Sequence, residues 1–296
     1  MKALNIIKTR KIWFVFSGVL IIGSVVSLLL WGLNFGIDFT GGSLTDVQVP
    51  SATTDSMRAF VETQGYADVR VQPSEAGEFL IRTEALNETQ HQDLLTAMTA
   101  EFGQVTENKF DFIGPVIGEE LTHKALWAVL LTLFLILIYI TWAFRKVSEP
   151  VKSWKYAVIT VFTAFHDVIV PVGVFSVLGH FINYQVDSAF IAAILTILGY
   201  SINDTIVVFD RTRENLRDWS SAETFEQVVN RSLNQTVVRS FNTSLTVLLS
   251  LVAVLIFGGE STRQFALALT IGVATGTYSS IFIASPFLTV WEKRSR

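Results

Sequence analysis

An aspartate stands two-thirds of the way along the apolar run 188–209, in the order Leu198-Gly199-Tyr200-Ser201-Ile202-Asn203-Asp204-Thr205-Ile206-Val207-Val208-Phe209. A run of this length and apolarity reads as a membrane-crossing helix. A carboxylate at such depth costs at least ~2.5 kcal/mol, so it faces a protein interior and marks an ion or proton path. Arg239, at the head of the next apolar run, has a stem long enough to reach inward. An Asp204–Arg239 pair would offset part of the cost of each charge. Otherwise, Arg239 simply reaches the lipid headgroups. The preceding run carries His166-Asp167 near its middle. Histidine titrates near neutral pH, so such a pair either relays protons or locks two helices through a buried hydrogen bond. Adjacent residues point about 100° apart on a helix, so one of the two at most faces Asp204 squarely. Asn203, Thr205, Asn242, Thr243 and Thr246 would complete a polar, hydrated seam among the third to fifth runs.

These residues must be held by helices. Apolar runs at about 12–32, 124–144, 156–178, 188–209, 241–258 and 265–290 predict an α-helical polytopic membrane protein with six transmembrane helices. Sixteen of the 22 Lys and Arg fall in 2–11, 145–155, 211–239 and 293–296, which places both termini in the cytoplasm by the positive-inside rule. Residues 33–124 carry 15 acids against 5 bases and lie outside. Asp204 then sits 16 residues into an outside-to-inside helix, ~24 Å along it at 1.5 Å per residue, in the cytoplasmic half. The first run is too long for a signal-peptide core and lacks a small-x-small cleavage site, so it reads as an uncleaved anchor. With no cysteine there are no disulfides, thiolate metal sites or iron–sulfur clusters. The expected division is 1–32 for the N-terminus and first helix, 33–123 for the outer domain, and 124–296 for the remaining helices, with a cytoplasmic loop at 211–239.

The outer stretch alternates as a strand at Thr45-Asp46-Val47-Gln48-Val49, and a helix capped by Thr54 or Asp55 runs to about Gly65. Strands follow at Val69-Arg70-Val71 and Phe79-Leu80-Ile81-Arg82, then a helix capped by Asn87 and a strand over 105–112. The order βαββαβ predicts a small α+β, ferredoxin-like domain between helices 1 and 2. His91, alone on a polar helix, reads as a solvated surface residue. The domain's acidity and strand edges suit contact with another polypeptide.

Other features read as packing or turns. Gly36-Ile37-Asp38-Phe39-Thr40-Gly41-Gly42 lacks the spacing and lysine of a phosphate loop, and a tight turn between helix and strand suffices for it. Ala268, Gly272, Gly276, Ser280 and Ala284 recur every fourth residue, a stripe that lets helices approach closely. Pro286 predicts a kink. Asp210, Arg211, Arg213 and Glu214 read as charge pairs at a helix end. Ser220-Ser221-Ala222-Glu223 matches a capping box, opening an amphipathic segment with Phe225, Val228, Val229 and Leu233 on the inner membrane surface.

The 36–42 motif, His166-Asp167, the stretch Asp204-Thr205-Ile206-Val207-Val208-Phe209-Asp210-Arg211-Thr212-Arg213-Glu214-Asn215 and Arg239-Ser240-Phe241-Asn242-Thr243-Ser244 together resemble the SecF family. This is the smaller membrane subunit of the SecDF accessory to the bacterial Sec translocase, within the resistance–nodulation–division superfamily. The resemblance covers essentially the whole chain. It implies a bacterial inner-membrane protein with a periplasmic domain, paired with SecD as one pseudosymmetric half of a twelve-helix unit. It further implies work beside the SecYEG channel, with YajC, on unfolded preproteins, driven by proton flow. The family's proton-path aspartate and arginine match Asp204 and Arg239; His166, Asp167 and Asn203 are candidates beside them. Gly36, Asp38, Gly41, Gly42, Asp210 and Arg211 are carried as motif residues. SecD is expected as a separate chain.

Neither a cofactor, a metal nor a nucleic-acid partner is expected, and an enzyme is not: no ATP-binding motif, metal-ligand spacing or nucleophile–base pair is recognisable. Two rival readings are a structural scaffold for the SecD and channel assembly, and half of a small-molecule exporter. The latter fits poorly with an outer region of about 90 residues.

Overall fold

The computed structural model describes residues 5–74, 77–145, 151–219 and 223–295. Six helices are long and apolar enough to cross a membrane: Arg10–Trp31, Pro115–Ala143, Ser153–Ile182, Ser188–Arg217, Phe225–Phe257 and Thr262–Glu292. In chain order the elements are α1 (Arg10–Trp31), the short α2 (Ile37–Thr40), β1 (Gly42–Gln48), α3 (Thr54–Thr63), β2 (Arg70–Pro73), β3 (Glu78–Thr83), α4 (Glu88–Phe102) and β4 (Thr106–Ile113). There follow α5 (Pro115–Ala143), α6 (Ser153–Ile182), α7 (Ser188–Arg217), α8 (Phe225–Phe257), α9 (Glu260–Ser279), a π-helical turn (Ser280–Ala284) and α10 (Ser285–Ser295). They divide into a helical unit, Met1–Leu33, Ala128–Tyr184 and Ala189–Arg296, and a sheet unit, Asn34–Trp127 with Gln185–Ser188.

In the sheet unit four antiparallel strands run in the order β2-β3-β1-β4, with α3 and α4 supplied by the βαββαβ sequence. This is the ferredoxin-like pattern. Val47, Phe79 and Ile81 from the strands meet Met57, Val61, Leu94 and Met98 from the helices in one buried cluster. Asn87 caps α4 reciprocally with Gln90, as its type and position predict. The cap of α3 is Thr53, paired with Ser56, one residue ahead of the expected Thr54 or Asp55. His91 is not on the surface: it is buried, stacked 3.7 Å from the Phe110 ring, with Nε2 2.9 Å from Glu107 Oε1. β4 supplies both partners, and no pattern within α4 announces them.

In the helical unit the charge distribution and apolar runs explain six spans, but packing separates them into two classes. α6, α7 and the last span bury half or more of their apolar windows, whereas α1, α5 and α8 bury less than a fifth. The small residues act as read: a Cβ on Gly272 would lie 2.1 Å from Ile197, and one on Gly276 would lie 2.8 Å from Ser201. The last span therefore lies directly on α7. α1 lies on α6 in the same way, with Ser27 Oγ donating to the Gly173 carbonyl at 3.0 Å and Ser176 Oγ to the Ser27 carbonyl at 2.9 Å.

Two expectations change form. The amphipathic segment and the fifth span are one helix, α8, because no glycine or proline interrupts 225–257. Its cap is Thr224 with Gln227; Ser220–Ala222 lie outside the described residues. Val229 and Leu233 pack against Ile6, Ile7, Val208 and Ile281 instead of a lipid surface. In the last span the irregularity is the π-turn immediately before Pro286, which adds a residue where that proline removes a backbone donor.

Candidate functional site

Asp204 lies on α7 and is half-buried. Its Oδ1 accepts a short hydrogen bond from Ser240 Oγ of α8. Its Oδ2 is buried and finds no hydrogen-bonding partner among the described residues. The expected direct ion pair with Arg239 does not form: no Arg239 nitrogen lies within 4.0 Å of the carboxylate. The reason is helical phase. Ser240 is buried and Arg239 exposed, so the one-residue step of about 100° sets the hydroxyl, and not the guanidinium, against Asp204. Arg239 instead lines a cavity of about 300 Å³ with Asp210, Arg211, Glu214 and Gln235. Within it Arg211 pairs with Glu214 at 2.5 Å and reaches Gln235 at 2.7 Å, and nearby Arg213 pairs with Asp210 at 2.7 Å.

Ser240 belongs to a stripe that was not singled out in the sequence: Ser232, Thr236, Ser240 and Ser244 are all buried on one face of α8. Their four-residue spacing was the available signal. Ser244 accepts from Tyr200 Oη at 3.0 Å and Thr277 Oγ1 at 2.5 Å, and Asn215 Nδ2 donates to Ser232 Oγ at 2.7 Å.

His166 and Asp167 form a second, separate centre. His166 Nδ1 lies 2.9 Å from Asp167 Oδ1, and Asp167 Oδ2 accepts from Ser279 Oγ at 2.6 Å and, over a short contact, from Ser201 Oγ. All four residues are buried. Thr205 Oγ1 meets Ser280 Oγ at 2.8 Å, and Ser280 Oγ donates to the Ser201 carbonyl at 3.3 Å. The buried polar groups thus join the sixth span to the third and fourth through Asp167, Ser201, Thr205, Ser279 and Ser280, and the fifth to the fourth and sixth through Ser240 and Ser244. Asn203, Asn242, Thr243 and Thr246 are exposed on this chain and take no part. Ser279 and Ser280 open the π-turn, so a stripe read as packing alone also carries hydroxyls into the seam.

The 36–42 motif is more than a turn. Gly41 (φ +71°) and Gly42 (φ +131°) adopt backbone conformations that side chains resist, and a Cβ on Gly42 would lie 2.7 Å from the Thr83 carbonyl oxygen. Asp38 Oδ2, meanwhile, accepts from the backbone N–H of Ser188, the first residue of α7, at 2.8 Å.

Comparison with known proteins points to one family. The family model for the protein export membrane protein SecD/SecF, C-terminal, matches residues 93–294, and the SecD/SecF GG motif matches 27–49. The protein translocase subunit SecF of Sebaldella termitidis is 42% identical over 96% of this chain and 91% of that protein. That of Thermobaculum terrenum is 39% identical over 98% and 95%. The crystal structure of SecDF from Thermus thermophilus superposes with a TM-score of 0.87 at 35% identity, over 99% of this chain. This chain spans 39% of that longer SecDF chain. A family model over most of the chain and near-full-length SecF relatives converge: the chain belongs to the SecD/SecF family of protein export membrane proteins, on its SecF side.

Proposed function

We propose that this protein, together with SecD, uses the proton-motive force to promote the translocation of preproteins and their release on the periplasmic side. Asp204 is the group that binds and releases the proton. One observation carries this reading: a half-buried intramembrane carboxylate keeps one oxygen buried and unpartnered while the other is held by the Ser240 hydroxyl. An oxygen left without a donor at such depth is costly unless a proton, water or a counter-charge visits it. Ser240 suits both states, since a hydroxyl donates to a carboxylate and accepts from a carboxylic acid.

In this reading Arg239, one residue from Ser240, is the counter-charge. A charged Asp204 draws the guanidinium toward its carboxylate; a neutral one leaves it in the polar cavity beside Asp210 and Glu214. The charge change at Asp204 and the two resting places of Arg239 are the two components a switch requires. One charge crossing 100 mV releases ~2.3 kcal/mol, enough to shift such an equilibrium about fiftyfold. His166 and Asp167 extend the path through the seam to Ser201 and Ser279. Asn203 lies on the same turn as Asp204 and is exposed on this chain. The working complex includes the SecYEG channel and YajC in the bacterial inner membrane, with both termini cytoplasmic. The basic stretches at 2–11 and 211–239 support that orientation.

The test compares proton-gradient-stimulated preprotein release by wild type and Asp204→Asn at equal membrane levels and equal SecD association. Loss of the stimulation is expected. Full stimulation in the variant would move coupling to SecD and leave this chain a structural half.

A further inference from the structure

The 36–42 motif contains more than its turn demands. Positive φ and close backbone approach account for Gly41 and Gly42. They do not account for Asp38, whose side chain leaves the turn to hold an amide 150 residues away. That amide is the first of α7, one of the four N–H groups that a helix start leaves without an intrahelical acceptor. A carboxylate there also meets the positive end of the helix dipole.

The same segment is tied twice more within the sheet unit. Gly36 N donates to the Val186 carbonyl at 2.8 Å and Val186 N to the Asn34 carbonyl at 2.8 Å, a short parallel ladder around Phe35 and Val186. On its other side Arg82 of β3, 8% exposed, donates to the Phe35 carbonyl at 2.7 Å and to Thr40 Oγ1 at 2.5 Å. Arg70 of β2 donates to Asn34 Oδ1 at 2.5 Å. Burial, with Arg70 alongside, pulls the Arg82 guanidinium below its ordinary range, and Asp68 draws it back up. Both bonds fix the segment 35–40 against β3, and removing the guanidinium would leave the Phe35 carbonyl without this donor.

We infer that Asp38 and Arg82 are positioning residues which, with the ladder at Val186, make the first residue of α7 a part of the sheet unit. The unit itself includes Gln185–Ser188. α7 then continues unbroken from Ser188 to Asp204, 16 residues or ~24 Å further along. A displacement of the sheet is delivered to the helix that carries the proton-binding carboxylate, and a change at that carboxylate is delivered back. The inference rests on the proposed role of Asp204.

The test uses the full-length chain with SecD in vesicles, reading preprotein release with and without a proton gradient. Asp38→Ala removes the acceptor and is expected to lower gradient stimulation about fivefold, the equivalent of losing one cap, while gradient-independent release stays unchanged. Asp38→Asn keeps a capping oxygen and retains stimulation. The chain has no cysteine, so Phe35→Cys with Val186→Cys introduces a single bridgeable pair. Its oxidation is expected to leave wild-type stimulation intact and to restore it in the Asp38→Ala background. Wild-type stimulation in Asp38→Ala overturns the inference. So does arrest by the oxidised pair that reductant relieves, because the ladder would then have to open in each cycle. Should Asp38→Ala fail to accumulate, the oxidised pair in the wild-type background decides alone. Asp204→Asn is measured in parallel: its retained stimulation defeats the proton-site reading, whereas arrest by the cross-link defeats only the strut.

Discussion

Replacing Asp167 by alanine tests whether one carboxyl ties three membrane spans together. It receives His166 Nδ1 from its own helix, Ser201 from α7 and Ser279 from α9, so two of its three bonds cross between helices. In membrane proteins an interhelical hydrogen bond contributes ~0.6 kcal/mol on average and ~1.7 at most. Two such bonds contribute about 1–3 kcal/mol, and the cavity left by the removed carboxyl adds to the loss. Ser279 has a fallback, since its hydroxyl also reaches the Gly276 carbonyl at 3.1 Å. Ser201 has no second acceptor among the described hydrogen bonds, so Asp167→Ala strands the Ser201 hydroxyl and not that of Ser279. The assay is a double-mutant cycle on reversible unfolding in mixed micelles, with Asp167→Ala, each serine variant, and each pair. In the Asp167→Ala background either serine replacement is expected to cost almost nothing further, giving a coupling of about 0.5–1.5 kcal/mol. Additive losses would refute the reasoning, because the serines would then act independently of the carboxyl.

Three further outcomes follow from local geometry. Lys155 Nζ lies 2.9 Å from Glu292 Oε2 with both side chains under a tenth exposed. Lys155→Met should therefore cost about 3–5 kcal/mol, while Lys155→Met with Glu292→Leu recovers most of it, both read from the unfolding midpoint. Gly42→Ala places a Cβ 2.7 Å from a backbone oxygen at φ +131°. Faster hydrogen exchange of the β1–β3 amides is expected, reflecting a loss of about 1–3 kcal/mol. His91→Ala removes a ring stacked on Phe110 in the core of the sheet unit and should cost about 2–3 kcal/mol. It should speed exchange in α4 and β4, and unchanged exchange there would show that the ring contributes nothing.

Much of this protein was legible from residue order alone, because the information involved is local. Six apolar runs, the βαββαβ order and the Asn87 cap each depend on residues within one element, and each is present. The same holds for the importance of Asp204, since a carboxylate in an apolar run is costly wherever the helix packs. Its partner was another matter. Periodicity gives the angle between Arg239 and Ser240, yet only the packing of α8 on α7 decides which of them meets Asp204. The seam followed the same logic: Asp167 turned to Ser201 and Ser279 because close approach at Gly276 sets the last span directly against α7. His91 was hidden by Phe110 and Glu107, which a separate strand supplies. The bond from Asp38 to Ser188 spans 150 positions, so no window of sequence contains both ends. Sequence determined which elements exist and which charges are expensive. Tertiary structure decided how each helix is rotated about its own axis, and with it which groups share a hydrogen bond, because that rotation is set by the neighbours and not by the chain's own period.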